Sequence, residues 1–133
     1  APAPRMAVWN DTATPVADRA RAYLDVNCSS CHNSAGRSGN TGLWLGLQET
    51  LPTRLGVCKP SVGGQQHLLA RNFYDITPGN ADVSFLYYRI SNYRPASSPQ
   101  TVAMPELGRH VYHAEGNELV RSWINAMAPA GCP

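Results

Sequence analysis

The sequence has a single lysine, Lys59, among its eleven basic residues, so it offers no lysine-rich face for docking or for nucleic acid. Charge of either sign is sparse. Only 15% of the 133 residues are charged and the formal net charge is +2, too small to attract a polyanion. No apolar run approaches the ~20 residues that a membrane-spanning helix needs. Sustained periodicity is also missing between residues 33 and 78, a stretch long enough that something besides regular structure must organise it. What is present is 43% apolar residues, eleven glycines and eleven prolines, which suits one loop-rich domain with short helices between bends. The chain opens Ala1-Pro2-Ala3-Pro4, which reads as a domain cut from a longer protein at a Pro/Ala linker, in preference to a cleaved precursor. Residues 1–10 are therefore expected to form a linker or mobile N-terminal segment, and residues 11–133 the domain. Asn10-Asp11-Thr12 and Asn27-Cys28-Ser29 match a glycosylation triplet, but such triplets arise often by chance and carry no weight.

The four cysteines divide into two pairs. Cys28-Ser29-Ser30-Cys31-His32 has the spacing at which two thiols bond to the two vinyl groups of a haem while the adjacent imidazole reaches its iron. Two intervening residues make one tight turn that presents both sulfurs to one porphyrin edge. A zinc site would need two further ligands at short spacing, and Cys58 and Cys132 stand alone. A thioredoxin-type redox pair would need a βαβ context, whereas this motif follows a helical pattern. Haem attachment of this kind occurs outside the cytoplasm, where thiols oxidise, so a Cys58–Cys132 disulfide is the economical assignment. Closing a loop of about 75 residues would stabilise the fold by roughly 4 kcal/mol through chain entropy. The alternative is two buried free thiols.

Three helices are predicted around the motif. Thr14 is a candidate N-cap with Pro15 in the first helical position. Val16, Ala20 and Leu24, with Tyr23 beside them, then form a stripe running into Cys28. A second helix is expected from near Ala114 to about Met127. Its buried stripe would be Leu119, Val120, Trp123, Ile124 and Met127, with Glu118 and Arg121 facing outward and Glu115 and Glu118 favoured by the dipole. A third is expected from Asn80, as cap, through Phe85, Leu86 and Ile90. Gln65 to Asn72 suggests a helical turn and Leu43 to Leu47 a short extended piece. Loops this long become reasonable if they pack on a large flat cofactor that serves as the core.

With the attachment motif closing one helix and a second amphipathic helix near the end, the sequence resembles the class I cytochrome c family. The resemblance implies an all-α class I cytochrome c fold, with short helices and long loops wrapped around one covalent haem c. Ala20 and Leu24 stand where that family has a small residue, allowing the terminal helices to approach, and a bulky apolar one; Trp123 would supply the aromatic opposite. Pro78-Gly79-Asn80-Ala81-Asp82, Leu86-Tyr87-Tyr88-Arg89, Met104-Pro105-Glu106-Leu107-Gly108, Glu115-Gly116 and Val120-Arg121-Ser122-Trp123-Ile124 look like monohaem modules of exported bacterial multidomain proteins, some linked to polysaccharide degradation. One departure is the lack of any proline between His32 and Pro52. The family usually places one there, whose carbonyl orients the haem histidine, so a carbonyl of residues 33–42 would have to serve.

The iron would be held by His32 and a second residue, with Met6, Met104, Met127, His67, His110 and His113 as candidates. Met127 continues an apolar stripe, so core packing is its expected role, and Met6 lies in the N-terminal segment. Met104, in a loop stiffened by Pro105 and placed where the resemblance puts the ligand, is the preferred choice. His110 and His113 are otherwise surface or propionate-side histidines. Trp9, Trp44, Tyr74, Tyr87, Tyr88 and Tyr93 are expected to pack the core or pocket. Arg94 and Arg109 are candidate propionate partners whose default is solvated surface. Cofactor binding is thus assigned to Cys28, Cys31, His32 and Met104, and iron ligation to His32 and Met104. These expectations describe a monomeric, periplasmic or secreted bacterial electron-transfer protein and not an enzyme. It would exchange electrons with a redox partner, which the resemblance suggests to be a copper polysaccharide oxygenase. A haem peroxidase or a gas sensor with a labile sixth ligand is the alternative.

Overall fold

The computed structural model describes residues 2–63, 74–91, 103–107 and 111–133. Among these the regular structure is helical: α1 (Val16–Cys28), α2 (Phe85–Ser91) and α3 (Ala114–Ala126), with single 3-10 turns at Gly39–Thr41 and Ala81–Val83. No sheet forms among the described residues, only two isolated bridges, Val57 with Ile76 and Pro60 with Tyr74. The all-α expectation is met at that level. None of the described helices is long and apolar enough to cross a membrane.

Helix α1 begins one residue later than the sequence suggests, with Pro15 as its flanking residue in extended backbone. Thr14 does not cap it, because the Thr14 hydroxyl donates to Asp11 Oδ2 at 2.8 Å while Asp11 Oδ1 accepts the Ala13 N–H. Its stripe faces the core as expected, with Ala20 and Leu24 fully buried and Val16 and Tyr23 packed against them. From α3, Leu119, Val120, Trp123 and Ile124 meet that stripe, and Leu43, Leu45, Ile76, Ala81 and Leu86 complete the cluster. Burying a large aliphatic side chain contributes roughly 1.5–3 kcal/mol, so the junction of the terminal helices dominates the apolar stabilisation. Gly116 gives the helices room there: a Cβ on it would run into the Tyr23 ring and His113 Nδ1.

The helix expected from Asn80 is broken in two at Ser84, which holds extended backbone between the 3-10 turn and α2. The cause is the buried Ser84 hydroxyl, which accepts the Thr77 N–H at 2.9 Å and donates to the Asn80 carbonyl at 2.8 Å. Helix α2 then starts on borrowed acceptors, since Phe85 and Leu86 donate their N–H groups to the carbonyls of Tyr74 and Asp75. The end of α3 is tied similarly, Gly79 N–H bonding the Ile124 carbonyl and Ala81 N–H the Asn125 side chain.

Leu43 to Leu47 forms no regular strand, yet Leu43 and Leu45 are buried while Trp44 lies under the Arg54 guanidinium at 4.2 Å. The Cys58–Cys132 disulfide is present and fastens the tail beyond α3 to the loop beside Val57. Near the N-terminus, Trp9 stands edge-on to His113 with ring centroids 4.8 Å apart, and its carbonyl accepts from Arg19. The turn expected over residues 65–72 lies outside the described residues.

Candidate cofactor site

The last turn of α1 runs directly into the cysteine motif. Cys31 and His32 both return their N–H groups to the Cys28 carbonyl, at 3.2 and 2.9 Å, which folds the five-residue motif into one tight turn. Asn33 locks this turn by donating its side-chain amide to the carbonyls of Ser29 and Ser30. Beyond it the chain doubles back, Ser38 N–H binding the Cys31 carbonyl and Leu45 N–H the His32 carbonyl. Gly36 permits that close return, because a Cβ there would strike the Cys31 carbonyl. The turn is local, so the arrangement of two thiols and one imidazole follows directly from the sequence.

These groups open on a cavity of about 460 Å³, within the usual range for a small-molecule or cofactor site. Cys28, Cys31, His32 and Met104 all line it, and Leu43, Leu45, Phe85, Leu86 and Ile90 give it an apolar wall. Met104, far from the motif in sequence, is brought there by its loop: its N–H donates to the Arg89 carbonyl at the end of α2, at 2.9 Å, and Ala103 beside it is buried. A thioether, an imidazole and two thiols thus share one apolar cavity, the donor set suited to a covalently attached haem. Among the described residues no group of three or more His, Cys, Asp or Glu side chains converges as metal ligands. A haem iron requires only one such side chain beside the thioether.

Electrostatics favour the neutral forms. Burial pushes the Cys28 thiol up to about 12, with Cys31 adding to the effect, so it is a poor thiolate nucleophile or metal ligand. The His32 imidazole is held below its ordinary value chiefly by burial, against the opposing pull of the Leu43 backbone and Asp75. The Leu43 backbone that favours the charged ring lies one residue beyond the 33–42 segment expected to provide a carbonyl acceptor. Nδ1 itself is buried with no partner in hydrogen-bonding geometry.

Other candidate ligands are placed differently. Met127 packs against the hydrophobic core and Met6 is exposed, neither lining the cavity. His113 flanks the start of α3, with Nδ1 3.0 Å from the Tyr23 hydroxyl. It lines a smaller neighbouring cavity of about 170 Å³, which also touches Cys28 and Met104. His67, His110, Arg94 and Arg109 lie outside the described residues.

The sequence reading missed the Lys59–Asp75 ion pair, 2.8 Å long, whose side chains line the main cavity with 15% and 7% exposure. Lys59 being the only lysine was the available signal, but nothing in the sequence joined it to Asp75. No protein-family model, curated protein or solved structure matches the chain, so the chemistry of these residues carries the functional reading alone.

Proposed function

We propose that this chain is a monohaem c-type cytochrome of the class I fold that carries single electrons. The observation that supports the reading best is that Cys28, Cys31, His32 and Met104, selected from sequence, line one apolar cavity. When bound, a haem supplies an iron that exchanges one electron between its ferric and ferrous states. Cys28 and Cys31 would hold it covalently through their sulfurs. His32 and Met104 would ligate its iron.

The protein's part is to keep these side chains in place. Burial keeps His32 neutral, the form that ligates, and the tight turn fixes its direction. The Arg89 carbonyl anchors the Met104 backbone N–H, which holds the thioether-bearing loop at the cavity. A thioether also favours the reduced state more than a second imidazole does. Lys59 and Asp75 bring no net charge into the cavity wall. Cys31 is exposed, which puts the attachment edge within reach of solvent and of a partner. The disulfide suits the oxidising periplasmic or extracellular setting that haem attachment requires. A copper oxygenase acting on polysaccharide is the electron acceptor suggested by the resemblance.

One feature favours a second reading, a peroxidase or gas sensor with a labile sixth ligand. The smaller cavity beside Met104 carries His113 and Tyr23, space and polar groups for a displaced thioether or an entering molecule. The ferric absorption spectrum of the matured protein separates the two. A low-spin spectrum with a methionine–iron charge-transfer band supports electron transfer, and a high-spin spectrum supports the second reading.

A further inference from the structure

We propose, resting on the haem reading above, that Lys59 binds a carboxylate side chain of the cofactor and that Asp75 positions its ammonium group for that contact. A haem brings two carboxylates with it, and each one drawn away from water needs a cation or hydrogen-bond donors beside it. Among the described residues the main cavity is lined by three cations, Arg37, Lys59 and Arg89, against two carboxylates, Asp75 and Glu106. The lining thus carries a net positive charge, the sign such a ligand requires. Arg94 and Arg109 were the residues that the sequence suggested for this contact, and Lys59 was not among them.

The three cations differ in how they are held. Arg37 faces solvent, with 74% of its side chain exposed, and pairs with Glu106 at 3.7 Å. Arg89 lies over the Phe85 ring, 5.6 Å from its centroid. The Lys59 side chain is only 15% exposed, so a contact made there is weakly screened and correspondingly strong. An ammonium group has three N–H donors. Asp75 Oδ2 accepts one at 2.8 Å and the Pro60 carbonyl another at 3.2 Å, which leaves one for the cavity that Lys59 lines. The main chain fixes this arrangement. Asp75 donates its N–H to the Lys59 carbonyl at 2.8 Å, and Leu86 donates to the Asp75 carbonyl at 2.9 Å. Gly42 leaves space for the lysine stem, since a Cβ there would stand 3.3 Å from Lys59 Cε. Burying an ion pair gains little stability by itself. In the wall of a cavity that accepts an anion the pair has a use: it keeps the ammonium charged and in place for the cofactor carboxylate.

Resonance Raman spectroscopy of the haem-loaded protein tests this at the bending band of the haem carboxylate side chains, whose frequency rises as their hydrogen bonds strengthen. Lys59→Met removes the donor and should shift the band to lower frequency. Asp75→Asn releases the ammonium from its competing carboxylate and should shift the band to higher frequency, because the charge-assisted bond to the cofactor then strengthens. Both variants should keep the parent absorption spectrum, since His32 and Met104 are untouched. A structural ion pair without contact to the cofactor would move the band in neither variant. Should either single variant fail to fold, with its buried partner left unpaired, Lys59→Met/Asp75→Asn removes both charges and decides by the same downward shift as Lys59→Met. A band that does not move in these directions overturns the proposal. Failure of the haem reading looks different, because the purified chain would then carry no covalent haem and show no such band.

Discussion

Replacing Gly116 with alanine sets two effects against each other. In an ordinary helix interior the change is favourable by about 1 kcal/mol, because glycine is the poorer helix former. Here the added methyl meets the Tyr23 ring and His113 Nδ1 at the crossing of α1 and α3. Overpacking of this kind costs about 1–3 kcal/mol. Displacing Tyr23 also breaks its 3.0 Å contact with His113, a further ~1 kcal/mol. The clash wins, and Gly116→Ala should destabilise by about 1–3 kcal/mol. Tyr23→Leu removes the nearer obstacle and releases the His113 ring, 39% exposed, to turn aside, so in that background the same substitution should be neutral or stabilise by up to about 1 kcal/mol. The double-mutant coupling is then about 2 kcal/mol, read from urea unfolding of the haem-loaded protein at constant m. A Gly116→Ala protein more stable than the parent would refute the close approach of the two helices.

Met104→His should keep the iron six-coordinate and low-spin with a lower potential, and Met104→Ala should give high-spin character with access for added ligands, both read by absorption and potentiometry. Met127→Leu, in the core, should leave the spectrum unchanged and cost less than about 1.5 kcal/mol. Cys58→Ser/Cys132→Ser removes a link between residues separated by 74 positions and should cost roughly 4 kcal/mol in denaturant unfolding; a loss near zero would contradict it. Burial raises the Tyr23 phenol above its ordinary 10.0, so its contribution to stability is full below that pH and is lost as pH rises through the folded value. Tyr23→Phe should flatten that alkaline decline in a pH series of unfolding free energies.

The readable parts of this sequence are those in which neighbours along the chain decide the outcome. Cys28 to His32 fold on themselves, and the stripes of Ala20 with Leu24 and of Leu119 through Ile124 follow the helical period, so motif and crossing helices were both legible. Long-range polar contacts were not. Ser84 sits within an apparently helical pattern, and only its buried bonds to Thr77 and Asn80 explain the break there. Asp75 and Lys59 each suggest a solvated surface charge, and their burial as a pair depends on loops whose pairing has no periodic signature. Gly116 and Asn117 interrupt the α3 stripe by sequence yet are buried beneath α1. The influence of the Leu43 backbone on His32 was missed for a related reason, since without the usual proline nothing local identifies which backbone group lies near the ring.

Haem attachment through Cys28 and Cys31 is tested most directly by the intact mass of the denatured chain, matured in a host that attaches haem to exported proteins and then treated with an alkylating agent without reduction. The mass should equal the polypeptide plus one haem, with no alkyl group added at Cys28, Cys31, Cys58 or Cys132. A mass of the polypeptide plus two alkyl groups, one each at Cys28 and Cys31, and no haem would contradict the proposed function.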